Sequence, residues 1–426
     1  MKNIIDVLEK RGFIEAMTSD DIAALATQPL KVYLGFDPTA DSLHIGNLVG
    51  IMALAWFQKF GHTPVAVVGG ATGMIGDPSG KSVERNLLDQ ETIEKNLRGI
   101  TCSLEAVLDF SHATAKPLIL NNHEWYKQFD LIEFLRKVGK HFRLGTMLAK
   151  EAVRNRLESD EGLSFTEFSY QLLQAYDFLY LYDHHQVIVQ LGGSDQWGNI
   201  TAGTELIRKM RGKTVFGLTF PLLTRSDGKK FGKSEEGTIW LNPDKLSPYE
   251  FYQYLFRIPD ADVGKLMRML TFMELEEIEA IERSMKETSY IPNTAQKILS
   301  EEVTRIIHGK KGLLQAIKVT NAAAPGTKTV LDIATLEALQ KEIPSMTLPF
   351  TEIVGQSVVH LFVKAGFLPS KSEIKRLIRG GGIYLNNEKI AHEDVKVDES
   401  ELLDGRFLLL GVGKKKKMLV ALERQL

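Results

Sequence analysis

Apolar runs and amphipathic stretches alternate along the first half of the chain. Lys31–Phe36 (KVYLGF) is a short β-rich run; a polar loop follows, and apolar residues then recur at helical spacing over about 48–60. Residues 64–68 form a second buried-strand run, and 186–191 (QVIVQL) a further one, bounded by Gly192 and Gly193. Strands alternating with helices predict a parallel α/β sheet with ligands at the carboxyl ends of its strands. The stretch over about 84–167 is mostly helical in pattern and reads as an insertion that interrupts the sheet. Together these segments set a first domain over 1–246.

The second half changes character. From 247 to 319 the periodicity is helical throughout, with Pro248 placed to open a helix, so 247–320 is expected to be an α-helical domain. Residues 321–327 (NAAAPGT) begin a linker expected over 321–348. A small terminal unit follows over 349–426. It shows two short helical patterns, a glycine-rich turn at 380–382, and strand-like pieces around 383–385 and 407–410.

Composition narrows the function classes. A chain of 426 residues suits two to three domains, and 44% hydrophobic with 25% charged residues is ordinary for a folded protein. A net charge of -2 excludes a uniformly basic surface, although a local basic stripe can still carry nucleic-acid binding. Cys102 is the only cysteine, which rules out a disulfide framework and a cysteine-based zinc site. No apolar run approaches the ~20 residues of a membrane span. The first residues (MKNIIDVLEKRGF) read as a mixed-charge amphipathic helix rather than a signal peptide, so a cytoplasmic location is expected.

Two familiar phosphate-loop patterns fail. Gly80-Lys81-Ser82 and Gly232-Lys233-Ser234 end like a P-loop, but Ile75 and Asp227 stand where its first glycine is needed. The glycines across 69–76 fall at the wrong offsets for a dinucleotide fingerprint. The loop after the first strand fits better. Asp37-Pro38-Thr39 leads to His44-Ile45-Gly46-Asn47, which opens a helix whose free N–H groups suit an anion, and Gly46 lets a ligand approach the backbone. Alone, this reads more readily as a helix cap with a surface histidine. Further on, 226–234 (SDGKKFGKS) is a glycine- and lysine-rich loop, either a solvated turn or a segment that closes over a triphosphate with Lys230 and Lys233.

Other polar groupings are also two-sided on their own. Tyr170, Gln174 and Asp177 lie at i, i+4 and i+7 and form one helical stripe, facing either solvent or a pocket. Gly192-Gly193-Ser194-Asp195 follows a strand, as a plain turn or a ligand edge. Lys371, Lys375, Arg376 and Arg379 put most of their charge on one side of a helix, a plausible phosphate-contact surface. Residues 414–417 add a second basic run, whose simpler reading is an exposed turn, and Arg208, Lys209 and Arg211 read best as ordinary surface charge. The helical stretch 129–148 carries Leu131, Ile132, Phe134, Leu135 and Val138, an apolar face for a core or a subunit interface.

The pairing of His44-Ile45-Gly46-Asn47 with Lys230-Phe231-Gly232-Lys233-Ser234 resembles the HIGH and KMSKS signatures of class I aminoacyl-tRNA synthetases. The chain is similar to the bacterial-type tyrosyl-tRNA synthetase family throughout, most specifically in GFDPTADSLHIGN, GGATGMIGDPSGKS, SFTEFSYQLLQAYDF and GGSDQWGNITAG. Asn47 stands where a second histidine is frequent, and Gly232 replaces the central serine of KMSKS. The resemblance implies a Rossmann-like parallel-sheet catalytic domain with a helical insertion, an α-helical anticodon-side domain and a C-terminal S4-like α+β RNA-binding domain. It implies that Tyr33 and Asp177 bind the substrate's phenol, and that Tyr170, Gln174 and Asp77 hold its α-amino group. Asp195 would then contact the ATP ribose and Gln196 the substrate region, with Gly35, Asp37 and Gly193 lining the neighbouring backbone. ATP contacts are further implied for Gly46, Asn47 and Ser234. Thr39 and His44 would meet the phosphates from one side, and Lys230 and Lys233 from the other. The implied partners are L-tyrosine, ATP with Mg²⁺, and tRNA(Tyr), in a homodimer, with no dedicated protein cage for the metal. The rivals are a tryptophanyl-tRNA synthetase and a catalytically silent RNA-binding paralogue.

Overall fold

A computed structural model describes residues 3–79, 89–159, 162–226, 228, 231–234, 237–323, 333–413 and 416–423. The chain forms two compact units, 1–246 with 253–309, and 247–252 with 310–426.

The first unit is built on a six-stranded sheet: β1 (Ala16–Met17), β2 (Lys31–Phe36), β3 (Thr63–Val68), β4 (Leu118–Asn121), β5 (Val189–Gly193) and β6 (Phe216–Phe220), in the order β1-β6-β5-β2-β3-β4. All neighbours run parallel except β1, which pairs antiparallel with β6. The register places Tyr33 of β2 between Val65 of β3 and Gln190 of β5, so its side chain stands mid-sheet. As expected of a parallel sheet covered on both faces, β3 and β5 are buried almost throughout.

Helix Ile45–Lys59 follows β2 and is apolar nearly all round, which is why it is buried from Leu48 to Gln58. Gly50 lets Leu34 and Phe220 pack against its backbone. Helix Phe165–His185 opens on a capping box from Ser164 and Glu167. The buried Arg156 guanidinium pairs with Glu167 at 2.8 Å and secures that end. Its far end closes on Gln186 in the left-handed region (φ 58°). The strand expected from 186 therefore starts at Val189 and extends through both glycines.

The stretch 84–167 does not simply interrupt the sheet. Its pattern reads as helical because helices Gln90–Glu105, Leu131–Lys137 and Glu151–Leu157 dominate it, yet it also contributes β4, the edge strand parallel to β3. Four residues are too few to show a strand period beside those helices. Beyond the sheet, the helical periodicity is met by Pro248–Phe256, Asp260–Leu270, Leu275–Ser284 and Thr294–Ala323, the last broken at Gly309 (φ 66°).

The second unit carries a five-stranded sheet of β9 (Ser345–Pro349), β10 (Ile383–Leu385), β11 (Glu388–Lys389), β12 (Phe407–Val412) and β13 (Lys416–Glu423), in the order β11-β10-β12-β13-β9. Helices Val358–Lys364 and Lys371–Arg379 cover one core through Val358, Leu361, Phe362, Ile374 and Ile378. The expected linker 321–348 is largely structured. Helix Ile333–Glu342 puts Leu336 and Leu339 against Phe407, Leu409 and Leu419, and β9 pairs parallel with β13. Residues 324–332 of that stretch lie outside the described residues.

Candidate active site

Helix Phe165–His185 presents its polar stripe inward. Tyr170 and Asp177 are buried and Gln174 is half-buried, so the pocket reading replaces the solvated one. Asp177 accepts from Trp125 Nε1 at 2.8 Å and from Asn122 Nδ2 at 3.1 Å. Burial nevertheless pushes its carboxyl up to about 7, outweighing those donors. Tyr33 lies across from it, its ring against Phe178, and its buried hydroxyl has no hydrogen-bond partner among the described residues. Burial, with the charge of Asp177, holds that phenol well above its ordinary pKa. A buried hydroxyl left unpaired is costly, and a ligand bearing its own hydroxyl would supply the missing partner.

Asp77, Gln174 and Gln196 converge as a second cluster. Gln196 Nε2 donates to Asp77 at 2.7 Å and Gln174 Nε2 to Gln196 Oε1 at 3.2 Å, while Asn199 bridges to Gln174 at 3.0 Å. The backbone N–H of Ser79 donates to Asp77 at 2.9 Å. This set of acceptors suits an ammonium group.

Asp37 stands just past the end of β2. Its carboxylate accepts from Tyr170 Oη and Thr72 Oγ1, both at 2.8 Å, so it braces the pocket from within. Gly69 has to be glycine here, because a Cβ would strike both Asp37 and Thr72. Gly35, by contrast, is exposed with open space where its Cβ would stand, which leaves a flat backbone for a ligand. At the end of β5, a Cβ on Gly193 would meet Asp195 Oδ1 at 2.6 Å.

The end of the cleft expected to meet phosphates is built around His44. It caps helix Ile45–Lys59: Gly46 N–H donates to its Nδ1 at 3.1 Å, and His44 N–H donates to Asn47 Oδ1 at 3.1 Å. Thr39 is exposed earlier in the same loop. The second signature comes to the same helix end. Gly232 sits at φ 94°, and a Cβ there would meet Ile45 Cγ2 at 3.1 Å and Gly46 N at 3.3 Å. Phe231 is buried against Tyr254, whose hydroxyl accepts from Gly232 N–H at 3.1 Å. Lys230 and the side chains of Lys233 and Ser234 lie outside the described residues.

The sequence matches the profile of the tRNA synthetases class I (W and Y) over residues 25–324, and that of the tyrosine–tRNA ligase SYY-like C-terminal domain over 335–420. It is 58% identical to the tyrosine–tRNA ligase of Protochlamydia amoebophila, over 99% of both chains. It is 51% identical to the chloroplastic/mitochondrial tyrosine–tRNA ligase of Arabidopsis thaliana, over 98% of this chain and 83% of that one. A C-terminally truncated mitochondrial tyrosyl-tRNA synthetase of Coccidioides posadasii has a similar structure, with a TM-score of 0.64 and 31% identity, covering 75% of this chain and 92% of that one. The chain belongs to the tyrosine–tRNA ligases, a class I family.

Sequence reasoning missed four residues of this family site: Thr72, Asn122, Trp125 and Asn199. Asn122 is a hub, accepting from Ala71 N–H and donating to Thr72 and Asp177. It follows β4, the strand hidden in the helical stretch, so nothing local marked it. Asn199 stands three residues after Gln196 on one helical face, a spacing that was available to read.

In the second unit, Lys371, Lys375, Arg376 and Arg379 are exposed on helix Lys371–Arg379 while Ile374 and Ile378 face the core. Two of them are not free: Glu393 accepts from Lys375 at 2.9 Å and from Arg379 Nε at 2.7 Å. Of the run 414–417, Lys414 and Lys415 lie outside the described residues. Lys417 is buried, donates to Asn387 at 3.0 Å, and is lowered by burial to about 8, so the reading as an exposed turn does not hold for it. Lys209 and Arg211 pair with Glu205 and Asp183, as ordinary surface charge does.

Proposed function

We propose that this chain is a tyrosine–tRNA ligase that activates L-tyrosine with ATP to tyrosyl-adenylate and pyrophosphate, then esterifies the terminal adenosine of tRNA(Tyr). The observation that carries the tyrosine assignment is the buried Tyr33 hydroxyl, without a partner among the described residues and close enough to Asp177 to feel its charge. Such a site binds a phenol and rejects phenylalanine, which leaves the Tyr33 hydroxyl without a partner. Rejection of phenylalanine for want of a hydroxyl is already familiar from the tyrosine enzymes of this family, and the geometry gives its direction, not its size.

In the proposed mechanism the tyrosine carboxylate attacks the ATP α-phosphate. The nucleophile is already an anion, so no general base is needed, and the rate comes from positioning and charge stabilisation. Asp77, Gln174 and Tyr170 hold the ammonium end, and Asp195 and Gln196 the adenylate region. Thr39 and His44, with Lys230 and Lys233, offset charge as pyrophosphate leaves. ATP is the substrate nucleotide of the family. The carboxylates of Asp37 and Asp77 are already engaged, which fits a Mg²⁺ carried on the triphosphate rather than one caged by protein.

The finer assignments are a cytoplasmic homodimer whose C-terminal unit binds tRNA through helix Lys371–Arg379. The dimer is supported by Leu131, Ile132, Leu144 and Phe165, exposed at 70%, 71%, 66% and 79%. No helix among the described residues is long and apolar enough to cross a membrane.

ATP–pyrophosphate exchange with tyrosine, tryptophan and phenylalanine tests the proposal. Exchange with tyrosine alone is expected. Exchange with tryptophan alone would reject the tyrosine pocket, and none with any of the three would reject the enzyme.

A further inference from the structure

The phosphate loop between β2 and helix Ile45–Lys59 is held along its length by one face of helix Gln90–Glu105. Asn96, Gly99 and Ser103 recur at helical spacing and so share that face. Asn96 Nδ2 donates to the carbonyl of Pro38 at 2.8 Å, just before Thr39. Ser103 Oγ accepts from Leu43 N–H at 3.3 Å, just before His44. Between them, Gly99 lies so close to the loop that a Cβ would collide with the Asp41 carbonyl. Asn96 and Ser103 are both buried, and Lys95 pairs with the Asp41 carboxylate at 3.2 Å. From the other side, Asn242 N–H donates to Ser42 Oγ at 3.1 Å, and Leu241 N–H to the Leu43 carbonyl at 2.9 Å.

We infer that Asn96, Gly99 and Ser103 are positioning residues for adenylate formation, fixing the backbone that presents Thr39 and His44 to the phosphates. The inference rests on the proposed function of that loop. The proposed first step has no general base, so its rate depends on where the phosphate-facing groups stand. A displacement of about 1 Å far from the chemistry can cost on the order of 100-fold. The helix that opens the stretch expected to interrupt the sheet is thereby a wall of the site. None of the three residues is expected to touch substrate.

The test uses the full-length protein carrying Asn96→Ala, Gly99→Ala or Ser103→Ala, with tyrosine binding, exchange kcat and Tm measured for each. Exchange kcat is expected to fall about 10- to 100-fold, with tyrosine affinity held within about twofold. Tm is lowered only slightly in Asn96→Ala and Ser103→Ala, and more in Gly99→Ala, whose Cβ meets the Asp41 backbone. A double-mutant cycle separates positioning from general loosening. In a His44→Ala background the Ser103→Ala loss is expected to shrink to about threefold or less, because the group that Ser103 positions is gone. A full, additive loss in that background would overturn the inference, as would equal losses in kcat and tyrosine affinity. Should Gly99→Ala fail to fold, Asn96→Ala and Ser103→Ala still decide the matter. Unchanged kcat in His44→Ala would overturn the reading of the loop itself, and this inference with it. Lowered kcat in His44→Ala beside parental kcat in Asn96→Ala and Ser103→Ala would overturn this inference alone.

Discussion

The phenol of Tyr170 donates to Asp37 Oδ2 at 2.8 Å, joining the helix of the amino-acid pocket to the strand end that leads into the phosphate loop. The bond is partly buried and its acceptor is a carboxylate, a class of hydrogen bond worth about 1.5–3 kcal/mol. Tyr170→Phe keeps the ring and removes the donor, leaving Thr72 to hold Asp37. Tyrosine affinity, read by equilibrium dialysis, is expected to drop about tenfold, with KM for ATP rising too because both walls share the bond. Unchanged values for both substrates would mean that the bond supports only the fold.

Asp177 makes stability depend on pH. Its carboxyl is raised from 3.8 to about 7 by burial, so the native protein keeps a proton that the unfolded chain releases. The sign follows: this contribution is complete below the unfolded value and is lost as pH rises through the folded one. Asp177→Asn carries no such proton. Between about pH 4 and pH 8 the Tm of the parent should therefore decline relative to that of Asp177→Asn. A constant difference across the range would contradict the raised carboxyl. The same variant is expected to accept phenylalanine more readily in exchange.

Gly232 is where the chain departs from the common KMSKS serine, and its backbone gives a reason. A φ of 94° is strained for any residue with a Cβ, and the space beside Ile45 and Gly46 is already tight. Gly232→Ala is expected to slow adenylate formation about tenfold with little change in tyrosine binding, since the strain of about 1–3 kcal/mol falls on the loop. Stopped-flow measurement of adenylate formation checks it. Parental rates would show that the loop reacts from a different backbone conformation.

Much of this was legible in the residues. The strand–loop–helix at Lys31–Phe36 and His44, and the stripe Tyr170, Gln174 and Asp177, announce themselves through local spacing, and the structure adds only their direction. What stayed hidden is long-range. Nothing local to Asp37 shows that its carboxylate accepts from Thr72 and Tyr170, which come from elsewhere in the chain. Asn122 reaches Asp177 across 55 residues, and β4 and β9 are short strands set beside helical patterns that mask their period. Register and partner choice across such separations are properties of the packed sheet.

Glu393 divides the basic helix of the second unit. By pairing with both Lys375 and Arg379 it occupies the place an RNA phosphate would take, leaving Lys371 and Arg376 as the cations that stand clear of it. Glu393→Gln removes one negative charge from the surface. Affinity for tRNA(Tyr) is expected to rise about threefold or more at low salt, with a steeper dependence on salt concentration, as newly available cations displace counter-ions. Weaker binding would instead make Glu393 a brace that orients Lys375 and Arg379 for RNA.

The exposed apolar face of the first unit gives the last expectation. Leu131 and Ile132 stand about three-quarters open on helix Leu131–Lys137, which buries none of its residues, and Leu144 and Phe165 are exposed nearby in sequence. Side chains of this size left in water forgo about 1.5–3 kcal/mol each, and a second copy of the chain can recover it by self-complementary contact. A parent that sediments as a dimer is therefore expected. Ile132→Glu combined with Leu144→Glu should yield a monomer with unchanged circular dichroism, because both positions are already solvent-exposed within one subunit. A monomeric parent would remove the homodimer. A double variant that still dimerises would move the interface to another face.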